Sequence, residues 1–341
     1  MADAHLDEPS SPLPPQWPAP HPWRLQALLL ALTAVTTTLA GVGIAHAIPF
    51  SLLDVAREAP YLLPGLVLRQ VAADPVLLVD GLGFSLPLLA ILLTHEMGHY
   101  LTARVYRVPA SLPFFIPMPM GLGTMGAVIS MRASSHDRRA LLDIGASGPL
   151  VGFVVAFGVL LLGFARSEVK GPADLAALSA LGGVVVEGDS LAYALARWLV
   201  HGSLESGADV WIHPTAWAGW VGLYLTWFNL QPFSQFDGGH VATALLGRRA
   251  VWLSLAVFIY LPLMFVLTWN AFWLVLTVLM AVMGRFIGYT HPPVVDARPL
   301  GLRRTVIAVL CTVLFVATLV PDPWHEAEVP ERYKIDAIQP G

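Results

Sequence analysis

Apolar residues run along this chain in long unbroken blocks, without the strict alternation of a half-buried strand. The blocks lie at about 25–48, 82–107, 140–165, 212–247, 250–268, 270–289 and 303–321. Each is near or above the ~20 residues a helix needs to cross about 30 Å of hydrocarbon. The pattern predicts an all-α polytopic membrane protein with about seven transmembrane helices and its termini on opposite sides. Pro232 interrupts the fourth block, and only Trp269-Asn270 separates the fifth from the sixth. Residues 1–23 are polar and Pro-rich, a composition that buries no core and reads as a disordered tail. A membrane domain over 24–321, with its core at 82–247, and a polar C-terminal tail at 322–341 complete the division. Ala45-His46-Ala47 resembles a signal-peptidase site. The block before it is too long for a signal sequence and lacks a positive flank, so it reads as a retained helix.

Two stretches between blocks break the pattern. Residues 112–132 are apolar but crowded with Pro and Gly, which argues against a spanning helix. Phe114-Phe115-Ile116 and Ala127-Val128-Ile129 read as short strands around a Gly-rich turn, a β-hairpin dipping into the membrane where it lines a protein cavity. Residues 167–211 contain SLAYALARWLVHG, the pattern of an interfacial amphipathic helix on the outer face.

Composition sharpens this reading. Of 341 residues, 56% are hydrophobic and 12% charged, about half the charged share of a soluble domain; mean hydropathy is +0.67. Net charge is −4 with 19 Lys and Arg spread thinly, so no basic surface points to nucleic acid. The single cysteine, Cys311, excludes a disulfide within the chain and a cysteine-rich zinc fold. With the N-terminus in the cytoplasm, twelve of the 19 basic residues fall inside and seven outside, the bias the positive-inside rule favours.

The candidate chemistry lies in the second block. Thr94-His95-Glu96-Met97-Gly98-His99 contains H-E-x-x-H. On a helix the two histidines share a face and can reach one zinc ion, with Glu96 placed as general base toward a water. Ionisable side chains inside an apolar span are costly unless they serve a site. Catalytic zinc takes three protein ligands and keeps one position open, so a third ligand must come from another span. Asp237 is the candidate, at the end of Asn229-Leu230-Gln231-Pro232-Phe233-Ser234-Gln235-Phe236-Asp237-Gly238-Gly239-His240. Blocks 82–107 and 212–247 run in the same direction, which sets His95, His99 and Asp237 at similar depth in the cytoplasmic half.

These residues resemble the site-2 proteases, the intramembrane zinc metalloproteases of peptidase family M50, in a bacterial-type form. The resemblance rests on H-E-x-x-H within a membrane segment, N-x-x-P-x-x-x-x-D-G from Asn229 to Gly238, G-T-x-G-A from Gly123 to Ala127, and Gly148-Pro149. It is good over 82–245, and His291-Pro292-Pro293 resembles a bacterial subgroup. It implies one zinc per chain on His95, His99 and Asp237, Glu96 as catalytic base, and Asn229 on the substrate or oxyanion. It also implies a hairpin whose edge takes up an unwound substrate strand. The implied substrates are transmembrane segments of membrane-tethered regulators, such as an anti-sigma factor or a transcription factor, cut in the bilayer of a bacterial inner membrane. Phe236 departs from the usual leucine before Asp-Gly. No PDZ-like or CBS-like insert is present.

Other readings stand beside this one. A zinc-binding membrane scaffold without proteolysis would not need Glu96, and a transporter would show paired broken helices in matching halves. As a fourth ligand His240 would close the position that water needs, so a supporting or surface contact fits it better. His46, His213 and His291 sit at span ends, where a histidine meets the interface. Met118, Met120 and Met125 read as flexible packing, and Trp198, Trp211, Trp217, Trp220 and Trp227 in part as an interfacial belt.

Overall fold

The computed structural model describes residues 23–46, 62–119, 121–131, 137–175, 185–292, 294 and 298–326. Residues 1–22 and 327–341 of the expected tails lie outside them, as do Ala47, Met120, Pro293 and four of the basic residues counted for orientation, Arg57, Arg132, Arg332 and Lys334.

Helices α1 (Trp23–Ala45), α2 (Leu62–Ala73) and α3 (Leu77–Val105) come first, followed by strands β1 (Phe114–Pro117) and β2 (Thr124–Val128). Helix α4 (Arg138–Phe164) leads to β3 (Glu168–Lys170), β4 (Val185–Glu187), α5 (Leu191–His201) and β5 (Asp209–Trp211). Helices α6 (Pro214–Asn229), α7 (Asp237–Leu246), α8 (Ala250–Thr268), α9 (Ala271–Ile287) and α10 (Leu302–Ala317) precede β6 (Trp324–Glu326).

The protein is a helical membrane protein. Helices α1, α3 and α4, and the stretch Asp237–Thr268 across α7 and α8, have the length and composition to cross a membrane. Their outer sides carry exposed Leu86, Val105, Val154, Leu162, Ile259 and Val266, an apolar surface suited to lipid.

The seven spans expected are not all matched by helices of crossing length. Block 212–247 is two helices, because Pro232 lacks the N–H that would carry α6 onward. Blocks 270–289 and 303–321 give helices of 17 and 16 residues, closed by Gly288 and Thr318. At 1.5 Å per residue these rise only about 25 Å.

Helices α3, α4 and α6 form the centre. The buried face of α3 reads Gly81, Phe84, Leu88, Ile91, Leu92, His95, His99 and Ala103, a three-to-four periodicity that aims one stripe inward. Phe84, Leu88 and Ile91 join Leu160 and Phe164 of α4 and Trp220, Val221 and Leu223 of α6 in one core. Helix α6 runs parallel to α3: Thr215 Oγ1 donates to the Gly83 carbonyl at 2.9 Å, and Asn229 reaches His95. Helix α4 runs the opposite way between them. It starts on an Asp137 cap that accepts from the Arg139 and Ala140 amides. Helix α1 lies antiparallel on α3, with His46 against Asp80 and Thr37 Oγ1 bonded to Ser85 Oγ at 2.6 Å.

Strands β1 and β2 pair antiparallel with Phe114 opposite Val128 and Pro117 opposite Thr124. Their turn is held to α1 by Thr36 Oγ1 donating to the Gly123 carbonyl at 2.6 Å. At the other end of the helices β3 pairs with β5 and β4 with β6. The segment after α10 therefore returns to strap the connection between α4 and α6, so residues 324–326 are not part of a plain tail.

Candidate metal centre

His95 and His99 stand one turn apart on the buried face of α3, with ring centroids 4.9 Å apart. Their Nε2 atoms are separated by 3.1 Å. Asp237 arrives from the first turn of α7, placing Oδ2 3.2 Å from His95 Nε2 and 3.3 Å from His99 Nε2. The chain brings it there by ending α6 at Asn229, turning through Leu230–Phe236 and restarting as α7.

The three donor atoms form a nearly equilateral triangle. Ligands held about 2.0 Å from a tetrahedral ion stand about 3.3 Å from one another, so the triangle matches one face of such a site and leaves the fourth corner open. Two imidazoles and a carboxylate are also a donor set suited to zinc. Among the described residues His95, His99 and Asp237 are the group of three or more side chains able to hold a metal ion.

The neighbours orient the donor atoms. His99 Nδ1 donates to the Ile144 carbonyl of α4 at 2.7 Å. A carbonyl can only accept, so the proton sits on Nδ1 and the Nε2 lone pair faces the triangle. Gly148 and Gly152 of α4 leave room for the two rings; a Cβ at Gly152 would come 3.0 Å from His95 Nδ1.

The remaining candidates gather at the same place. Glu96 is buried beside the triangle and takes a hydrogen bond from the Ile129 backbone N–H, just past β2. Asn229, the last residue of α6, holds Nδ2 3.2 Å from His95 Nε2. All five sequence candidates thus converge, although 142 positions separate His95 from Asp237.

The other histidines are not part of this group. His240 Nδ1 meets His291 Nε2 at 2.9 Å. His291 Nδ1 donates to the Pro292 carbonyl, which leaves His240 as donor between the two rings. His213 caps α6 by accepting from the Thr215 amide at 3.1 Å.

Three contributors were not singled out from the sequence: the Ile144 carbonyl, the Ile129 amide and Gly152. A main-chain group carries no residue-type signal. Gly152 had one, since Gly148 and Gly152 repeat on α4 the four-residue spacing of His95 and His99 on α3.

Comparison with known proteins gives a consistent picture. The profile described as Peptidase family M50 matches residues 83–269. The chain is 34% identical over 182 residues to "Probable zinc metalloprotease EGY1, chloroplastic" of Oryza sativa subsp. japonica, covering 52% of this chain and 31% of that protein. It is 30% identical over 264 residues to the Arabidopsis thaliana protein of the same name, covering 74% and 46%. With "Probable zinc metalloprotease EGY2, chloroplastic" of Oryza sativa subsp. indica it shares 31% over 224 residues, 66% and 39% of the two chains. The chain therefore spans less than half the length of these relatives. Their names place them in chloroplasts, which lends no support to the bacterial inner membrane expected from the sequence. No solved structure matches the chain significantly.

Proposed function

The chain belongs to peptidase family M50, and on that footing we propose that it is an intramembrane zinc metalloendopeptidase that hydrolyses peptide bonds within transmembrane segments. The observation that carries the reading is the donor triangle made by His95 and His99, on the buried stripe of α3, with Asp237 of α7, and Glu96 beside it.

In this reading His95, His99 and Asp237 hold one zinc ion. Bound there, zinc supplies Lewis acidity toward a peptide carbonyl and makes a water acidic enough to react near neutral pH. Glu96 takes the proton from the attacking water and returns it to the leaving amine. The Asn229 amide donates to the carbonyl oxygen as charge develops on it.

A transmembrane helix hides its carbonyls in hydrogen bonds, so the substrate must unwind locally before attack. The β1–β2 hairpin, dipping toward the membrane, offers an edge to such an extended segment. That edge leads into Ile129, whose amide contacts Glu96, so a strand laid along it would approach the base.

The proposed topology has seven passes, with α6–α7, α9 and α10 completing the set alongside the longer helices. The N-terminus lies in the cytoplasm, supported by the twelve-to-seven division of basic residues. The substrates are membrane-tethered regulatory proteins, an anti-sigma factor or membrane-bound transcription factor among them.

The test compares wild-type protein with Glu96→Gln in the native host and maps new protein termini by mass spectrometry. Fragments ending inside transmembrane segments, present only with wild type, are the expected result. Identical termini in both strains would overturn the reading.

A further inference from the structure

The last helix among the described residues, α10, connects to the metal centre through a side-chain knot at the end of α3. The Arg304 guanidinium of α10 grips the Asp143 carboxylate of α4, with Nε donating to Oδ1 and Oδ2 at 3.1 and 3.0 Å and a terminal nitrogen donating to Oδ2 at 2.9 Å. The same terminal nitrogen donates to the Tyr106 hydroxyl at 2.8 Å, and that hydroxyl donates to Asp143. Tyr106 caps the C-terminal end of α3. One half-buried cluster therefore ties α3, α4 and α10 together.

The position of this knot gives it a bearing on the metal. The residue after Asp143 is Ile144, whose carbonyl accepts the His99 Nδ1 proton. That bond sets the tautomer that frees His99 Nε2, and it holds only while α4 keeps its register along α3. One turn beyond Arg304, Ala308 and Cys311 of α10 pack with Leu142 and Ala146 of α4 and Val241 and Ala244 of α7. Helix α10 thus buttresses both the Ile144 carbonyl and the helix that carries Asp237. It lies outside the matched family region of 83–269.

We propose that Arg304 is a positioning residue for the metal centre, acting through Asp143 to keep the Ile144 carbonyl on His99. The proposal rests on the reading of His95, His99 and Asp237 as metal ligands. The planar guanidinium fork fixes direction as well as charge, a property a lysine at this position lacks.

The test is metal binding by the purified full-length protein in detergent, without substrate. Zinc affinity is measured by chelator competition, the visible spectrum of the cobalt-substituted protein reports ligand geometry, and the melting temperature is taken on the metal-free form. Zinc affinity in wild type is established first; its absence would sink the parent reading before any variant is compared. Arg304→Gln is expected to weaken zinc binding by about 10- to 100-fold, the usual scale for losing an outer partner of a ligand, and to alter the cobalt spectrum. Arg304→Lys should restore affinity only in part. A lower melting temperature with unchanged affinity and spectrum would make the knot a structural tie and overturn the proposal, as would no change in any reading. If Arg304→Gln does not fold, Tyr106→Phe, which keeps the Arg304–Asp143 ion pair and removes both hydrogen bonds of the hydroxyl, decides by the same readings.

Discussion

Gly148 lies directly beneath the His99 imidazole: a methyl group on its Cα would sit 2.1 Å from Nε2, the atom that faces the donor triangle. No rotation of the ring relieves such a clash, because Nδ1 is committed to the Ile144 carbonyl. Gly148→Ala is therefore expected to lower zinc affinity at least tenfold and to abolish cleavage. Gly158→Ala on the same helix, where a new Cβ meets nothing within 4 Å, is expected to keep both. Metal content of the two purified variants checks the contrast.

In the proposed reading the site residues separate into three that hold the metal and two that act beside it. Asp237→Ala removes one corner of the triangle and is expected to yield protein with little zinc and no activity. Asn229→Ala should retain zinc while kcat falls by about 10²–10³, the scale for losing one donor to a developing oxyanion. Equal zinc loss in the two variants would show Asn229 to be a ligand rather than a donor to substrate.

Removing the metal should act reversibly on the whole protein. A strong chelator is expected to stop cleavage, and added zinc to restore it. Glu96→Gln should bind zinc about as well as wild type and stay inactive throughout, because the base it removes is not one of the three donors.

The connection between α4 and α6 carries its own pH dependence. Burial, with Asp209 and Asp189 nearby, pushes the Glu187 carboxyl up to about 8, and the Tyr193 hydroxyl donates to it. The folded form thus holds a proton that the unfolded chain releases near 4.5. The stabilisation is fully present below about pH 4.5 and is lost as pH rises through about 8. Hydrogen exchange in residues 185–201 is expected to speed up over this range beyond its ordinary base catalysis. Glu187→Gln should remove that excess.

Much of this is legible in the amino-acid sequence alone. The apolar blocks gave the membrane class. H-E-x-x-H and the Asp237 motif gave the triangle, because side-chain chemistry at fixed helical spacing survives in one dimension. Pro232 marked the break in α6 for a similar reason. The pairing of β4 with β6 and the hold of Arg304 on Asp143 and Tyr106 are not readable, since they join residues more than a hundred positions apart with no local pattern. Helix lengths are less legible, because hydropathy blocks include loop residues that never enter the helix: block 270–289 gives a helix of 17 residues and block 303–321 one of 16.

The break between Asn229 and Asp237 also sets an order of events during synthesis. His95 leaves the ribosome 142 residues before Asp237, which at roughly 5–20 residues per second is a delay of about 7–28 seconds. Through that interval both histidines have been made while the carboxylate that completes their triangle is still to come. A nascent chain thus carries Glu96 and the two imidazoles for that interval without the carboxylate that α7 brings to them.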